Sequence, residues 1–263
     1  SGKSYTASGT TITFSEAVAS TDSCYLVYMG SAQQTVTAPA GSIVSSQFSS
    51  ADLVLPKTVT IGSAAEEDTK LVFDGNAQDF HIGLDDSADD LVIGKGSALG
   101  TTTHMSFDEN GHITKPLQPA FNVQLNSAQA ISADSLTTIA WNTERLDANA
   151  DFNTSTYKFI APVTGKYFLS MHLRINNIDA NSDYIDARIR TSNVTYQTVY
   201  DTDNASNGAD VTFITLNLAV LADMDANDEA YCTIFVEGNV SAFSSTTQID
   251  TESSAGFFGY LAC

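Results

Sequence analysis

An all-β protein is what the sequence predicts, on three observations. Apolar residues alternate at period two through most of the chain, between turns rich in Gly, Asn, Asp and Ser. Helical periodicity with caps is nearly absent; Ser127 to Ser135 comes nearest and is short. The stretch from Tyr157 to His172 then sets two strand-like runs around Pro162 and Gly165, the second placing Tyr167, Leu169, Met171 and Leu173 on one face. Proline fixes φ and glycine accepts positive φ, so this stretch predicts a hairpin.

Taken in order, residues 1–38 contain Tyr5 to Ser8, Thr11 to Phe14, the apolar run Cys24 to Met29 ended by Gly30, and Gln33 to Thr37. They predict a small β module, with few strands for a core of its own. Residues 39–57 form a linker, opened by the Ala38-Pro-Ala-Gly-Ser42 turn and carrying Leu53-Val-Leu-Pro56 as a docking strand or a join. From 58 to 115 the text is loosely repetitive, and its anchors Phe73, Ile82, Ile93 and Phe107 lie 9, 11 and 14 residues apart. Strands this short have no second sheet to bury them within one chain. They predict a thin shaft, an intertwined β-prism or β-helix in which three chains supply the missing faces, or else one more small sandwich.

Residues 116–263 predict a sandwich head. Its strands are expected near Phe121 to Leu125, Thr138 to Trp141, Tyr157 to Ile160 and Lys166 to Ile175, then Tyr184 to Thr191, Val211 to Leu221, Glu229 to Glu237 and Gly256 to Cys263. Loops are expected at Asn176 to Asp183, Asp201 to Asp210 and Asn239 to Gln248.

Composition narrows the function. Eleven Lys and Arg against 31 Asp and Glu give a formal charge of −20. Such a chain repels phosphate backbones and anionic membrane surfaces, which argues against nucleic-acid binding. Only 16% of residues are charged, so the acidity reflects missing bases more than acidic blocks. The apolar runs are only a few residues long, so membrane insertion is not expected. Cys24, Cys232 and Cys263 are an odd set with no metal or redox spacing, and Cys232 alternates with Ile234 and Val236 as a buried thiol.

The candidate chemistry is sparse. Asp85-Asp86 with Asp89-Asp90, or Glu144 with Asp147, could be nominated as a glycosidase pair. Such a pair needs an apolar cleft that raises one pKa, and no such setting is legible. No Gly-x-Ser-x-Gly elbow or phosphate-binding loop is present, so the chain reads as a non-enzyme. Asp201-Thr-Asp-Asn204 and Asp223 with Asp225 and Asp228 cluster oxygen ligands that suit Ca2+, although the second group lacks the glycine and closing glutamate of a calcium loop. Their first reading is acidic turns between strands, with calcium the alternative. His81, His104, His112 and His172 read as scattered surface or interface imidazoles.

Phe159, Pro162, Gly165 and Tyr167, with Leu169 where Phe is common, resemble the Phe-x-x-Pro-x-x-Gly-x-Tyr-x-Phe pattern of the complement-globular-head and tumour-necrosis-factor-like superfamily. Ser254-Ala-Gly-Phe-Phe-Gly-Tyr-Leu261 is similar to the closing strand of those heads, and Thr138 to Trp141 and Asp151-Phe152 fall where the family places short strands. The resemblance covers roughly Pro116 to Cys263. It implies a jelly-roll head, a homotrimer in which Phe257, Phe258 and Tyr260 pack on the threefold axis, and calcium near that axis in some members. The loops then supply the contact surface, through Asn176, Asp179, Asp183, Asp201, Asp203, Asn239 and Phe243.

A second resemblance lies upstream. Cys24 to Ser42 and Asp74 to Gly94 are similar in phrasing to tail-fibre and related structural proteins of tailed phages of marine bacteria and cyanobacteria. It implies an extracellular virion fibre, on tail or capsid, that joins other virion proteins and presents its head to a host-surface glycan or protein. A cellular extracellular adhesin or filament subunit, or a polysaccharide-degrading tail spike, would be the alternatives.

Overall fold

The computed structural model describes residues 4–21, 23, 57–203, 208–243, 247–251 and 255–263. The chain divides into two units, residues 1–59 and 60–263. In the first, β1 (Tyr5–Ser8) and β2 (Thr11–Phe14) form an antiparallel hairpin turned at Gly9, whose φ is +59°. The strands expected at Cys24 to Met29 and Gln33 to Thr37, and all of the 39–57 linker except Lys57, lie outside the described residues.

The second unit opens with five strands: β3 (Thr69–Phe73), β4 (Phe80–Asp85), β5 (Asp90–Lys95), β6 (Thr103–Phe107) and β7 (Ile113–Thr114). Each pairs antiparallel with its neighbour in sequence, giving a five-stranded meander. That order corrects the β-helical option, because a β-helix stacks parallel coils whereas tight turns here reverse the chain at each strand. His81 is a second correction. It is fully buried on β4 and not at a surface, and its Nδ1 donates to the Gly96 carbonyl at 2.8 Å.

A two-sheet sandwich follows. One sheet is built from β8 (Ala120–Gln124), β9 (Gln129–Ala130), β11 (Thr143–Asp147), β14 (Gly165–Ile178), β17 (Val211–Met224), β19 (Gln248–Ile249) and β20 (Gly256–Leu261). The other holds β10 (Thr137–Thr138), β12 (Phe152–Asn153), β13 (Lys158–Ile160), β15 (Ser182–Thr191), β16 (Thr195–Asp201) and β18 (Glu229–Gly238). The fold is therefore all-β with a jelly-roll-like C-terminal sandwich. β14 is its spine, with β17 paired along one side and β20 then β19 along the other.

Period-two alternation explains the layers. Tyr167, Leu169, Met171, Leu173 and Ile175 of β14 point inward with no exposed surface, and Cys232, Ile234 and Val236 of β18 meet them from the facing sheet. At one end the core is aromatic: the Phe121 ring centroid lies 4.6 Å from Phe159, 4.9 Å from Phe257 and 5.3 Å from Phe152.

The Tyr157 to His172 stretch is not a hairpin. β13 pairs with β12 and β18, β14 pairs with β17 and β20, and the intervening turn carries the chain from one sheet to the other. Tyr167 hydroxyl locks that crossing by donating to the Val163 carbonyl at 2.8 Å. Gly165 is required by close approach and not by positive φ: a Cβ there would lie 2.6 Å from Leu261 Cδ1 and 2.8 Å from the Cys263 carbonyl oxygen.

The stretch nearest to a helix, Ser127 to Ser135, holds β9 and an isolated bridge from Ala133 to Val236. The segment Thr138 to Trp141 keeps only its first residue as strand, yet Trp141 is fully buried. β11 and β16 are additional to the expected strands. β16 was hidden because its inward positions are Tyr196, Thr198 and Tyr200 while the most apolar residue, Val199, faces solvent.

Gly165→Ala should cost about 1–3 kcal/mol of stability through overpacking at the crossing, and Phe121→Ala about 3–5 kcal/mol through loss of an aromatic that both sheets share. Denaturant unfolding of each variant checks both, and an unmoved midpoint for either contradicts the packing described.

Candidate functional site

β14 sets the geometry of the head. Its 14 residues span roughly 45 Å at strand rise, so groups at its two ends are far apart. At the Gly165 end lie Asp223, Asp225 and Asp228, the chain terminus at Cys263, and the segment entering β8. At the Ile178 end the turns 178–182, 202–210 and 239–247 come together.

Hydrogen bonds knit those three turns into one surface. Asp179 N–H donates to Thr247 Oγ1 at 3.2 Å, and Ala180 N–H to Asp210 Oδ1 at 2.9 Å. Asn239 N–H donates to the Asn181 carbonyl at 3.1 Å, and Thr202 N–H to the Asp183 carbonyl at 3.0 Å. The three loops expected to share a contact surface are thus adjacent, and residues 204–207 and 244–246 within them lie outside the described set.

Individual residues divide by role. Asp183, Asp201, Asp203 and Asn239 are exposed. Asp179 is buried, its Oδ1 accepting from both the backbone and side-chain amides of Asn181 at 2.9 and 2.8 Å, so it builds the turn from within and offers no outer contact. Phe243 is half-buried and packs against the core as a plug beneath its loop. Asn176 Nδ2 donates to Asp250 Oδ2 at 2.8 Å, next to the Arg174–Asp250 ion pair at 3.5 Å. Val240, 60% exposed at the tip of the third loop, was not among the expected contacts; one apolar residue in a Gly-Asn-Val-Ser turn carries no signal that separates it from a solvated loop.

At the opposite end the candidate calcium ligands are engaged separately. Asp223 pairs with Lys166 at 2.6 Å. Asp228 Oδ2 accepts from Asp225 N–H and Asn193 Nδ2, both at 2.8 Å. Among the described residues no group of three His, Cys, Asp or Glu side chains converges as metal ligands would. The nominated carboxylate pairs are likewise turn-formers. Asp85 Oδ1 accepts from the Ser87 hydroxyl at 2.7 Å, and Asp147 accepts from the backbone amides of Asp151 and Phe152 at 3.0 Å.

The outer face of the seven-stranded sheet is the other notable surface. Phe258 and Tyr260 project from β20 at 37% and 47% exposure, beside Phe168, whose ring centroid lies 5.4 Å from Tyr260. Phe213 and Leu221 of β17 are exposed on the same face, at 55% and 60%. Phe257, expected to pack on other chains, instead points inward and is fully buried in its own core, because neighbours along a strand take opposite faces. A shallow groove of about 450 Å3 runs over this sheet, lined by Asn122, Gln124, Arg145, His172, Asn217 and Phe258 among others. His172 Nδ1 lies 2.6 Å from Asn217 Oδ1 in it.

Burial pushes the Cys232 thiol far up, with the Trp141 indole pulling the other way, so this cysteine is inert in the core. Among the described residues no helix is long and apolar enough to cross a membrane.

Residues 120–262 match the C1q domain family. Among solved structures the chain is similar to the globular domain of zebrafish complement 1qA protein, at 20% identity over 56% of this chain and 98% of that one, with a TM-score of 0.42. It is also similar to the Eiger TNF of S. frugiperda, at 10% identity over 56% and 93% with a TM-score of 0.43, and to murine APRIL, at 8% over 55% and 98% with a TM-score of 0.40. No curated protein matches the chain.

Asp151 allows a pH test of the Gly165 end. Burial and the neighbouring Asp147 carboxylate raise its pKa, and its Oδ2 is buried without a hydrogen-bond partner. A raised carboxyl pKa favours the neutral form in the fold, so stability falls as pH rises from the unfolded value near 3.8 through the folded one. Asp151→Asn should raise the melting temperature at pH 7, with the gain shrinking towards pH 3; scanning calorimetry at both values checks it.

Proposed function

The chain belongs to the C1q domain family through residues 120–262, and from that premise we propose that it is a homotrimeric extracellular fibre protein whose head binds a cell-surface glycan or protein. Domains of this family are typically non-enzymatic binding or structural modules, and homologues form homotrimers. The observation that carries the reading is the separation of ends. The three-loop surface with Asp183, Asp201, Asp203 and Asn239 sits at the far end of β14 from the segment that joins the head to the preceding sheet. A head attached at one end and exposed at the other suits presentation to a target.

Trimer contacts are assigned to the outer face of the seven-stranded sheet, through Phe258 and Tyr260 with Phe213 and Leu221. Exposed aromatics of this number are costly in a free monomer and suit a shared seam. Calcium has no assigned site in this reading. The setting we favour is a virion fibre, on the strength of the tail-fibre-like phrasing of Cys24 to Ser42 and Asp74 to Gly94. A cellular adhesin would use the same head in the same way, and the protein composition of purified virions separates the two.

The test is direct. Light scattering coupled to gel filtration should give a mass near three times 27.9 kDa. Asp183→Ala with Asp203→Ala should weaken adsorption of the labelled trimer to target cells by about tenfold or more, the loss of two exposed contact groups, without changing its mass or melting temperature. A monomer, or adsorption unmoved by the loop changes, would overturn the reading.

A further inference from the structure

The five-stranded meander ahead of the head has two unlike faces. On one, Lys70 and Val72 of β3 neighbour the buried His81 and Gly83 of β4, Val92 and Gly94 of β5 and Ser106 of β6. The chain covers this face itself. Leu99 reaches over Gly83, where a Cβ would lie 2.9 Å from Leu99 Cδ2, and Gly94 lies under the His81 ring, where a Cβ would meet Nε2 at 2.6 Å. Among the described residues none does the same for the other face.

That other face is set by register. Leu71, Ile82, Ile93 and Met105 form one row across the sheet, Leu84, Leu91, Phe107 and Ile113 a second, and Phe73 and Phe80 begin a third. Leu71, Phe73, Phe80, Ile82, Leu84, Leu91 and Ile113 are each 37–57% exposed. Together they offer on the order of 700 Å2 of apolar area, beyond the ~300–600 Å2 of a typical monomer's largest patch and near the ~800 Å2 that each partner contributes to a stable interface. Lys95 is the charged strand residue on this face, so a chain of net charge −20 offers a partner almost no charge here.

Attachment to the head decides what covers it. Only Lys115 to Pro119 separate β7 from β8, a reach of at most ~18 Å, and this segment is pinned to the end of the sandwich. Leu261 N–H donates to the Pro119 carbonyl at 3.0 Å, Gln118 Nε2 to the Leu261 carbonyl at 3.1 Å, and Asn149 Nδ2 to the Leu117 carbonyl at 3.1 Å. Heads that trimerise therefore hold three meanders within a few nanometres at millimolar effective concentration. We propose that the Leu71–Ile82–Ile93 face is a self-association surface, on which two further copies of the same sheet close a three-sided apolar prism below the heads. An identical apolar face is the occupant that needs no complementary charge and is always present at that concentration. The assignment rests on the trimeric reading of the head and adds a second, separable seam to it.

Thiol labelling of the full chain tests it. Ile82→Cys places a thiol on the apolar face and Val72→Cys places one on the opposite face, where Val72 is 40% exposed. Each is reacted with a bulky maleimide, normalised to its rate in denaturant and read by peptide mass mapping so that the native cysteines do not interfere. Light scattering on the same samples reports the mass. A trimer in which the thiol at 82 reacts at least tenfold slower than the thiol at 72 is the expected result. A trimer with equal rates overturns the sheet seam and leaves the head reading intact. A monomer overturns both.

Discussion

The head depends on one contact made across its two sheets, the stacking of Phe121 with Phe152, Phe159 and Phe257. Phe121 and Phe257 belong to neighbouring strands of one sheet, and Phe152 and Phe159 to the other. Rings at 4.6 to 5.3 Å fix the spacing of the layers there. They also dictate where the chain can change sheets. Phe159, in the middle of β13, faces the cluster, and Tyr167, near the start of β14, lies beside it with its centroid 5.4 Å from Phe159. The connecting turn is thereby forced to cross the core edge.

From that anchor the long β14 runs to the other end of the sandwich, and the two ends differ in what they gather. The end at Gly165 is crowded by the terminus at Cys263, the Asp223–Lys166 pair and the segment from the meander. The end at Ile178 has three turns bound mainly to one another, with carboxylates and amides facing out. An inward carboxylate, Asp179, holds that surface together from within. The division follows a general pattern in which a rigid sheet scaffold positions irregular loops that carry recognition.

Among the described residues two apolar surfaces lie outside the core, the outer face with Phe258 and Tyr260 and the meander face with Leu71 and Ile82. Burying each separately would leave the other in water, whereas one threefold arrangement removes both. Their connection through five residues pinned to the end of β20 is what makes a common occupant physically economical.

Much of this was legible in the sequence. Period-two alternation marked β14, β15, β17 and β18 with ends within three residues, because a side chain's burial there follows from strand geometry alone. The Phe159–Pro162–Gly165–Tyr167 pattern located the head, and the closing Gly256 to Leu261 strand bounded it. What alternation could not decide was partner choice. It marks strands without saying whether β13 pairs with β14 or crosses away from it, so a sheet change looked like a hairpin. Nor could it assign Phe257 and Phe258 to opposite faces until β20 had a register against β14, or bury Asp179 beneath the loop it supports. His81 was misplaced for the same reason: the face it occupies is covered by residues 96–102, a segment far enough along the chain that only the folded sheet brings it near. The sequence by itself determined the long strands of the head and that the chain is acidic and all-β. Tertiary structure alone decided which strands pair, which turns meet at each end of β14 and, among the described residues, which apolar faces are exposed, because those are set by contacts between distant residues and not by local pattern.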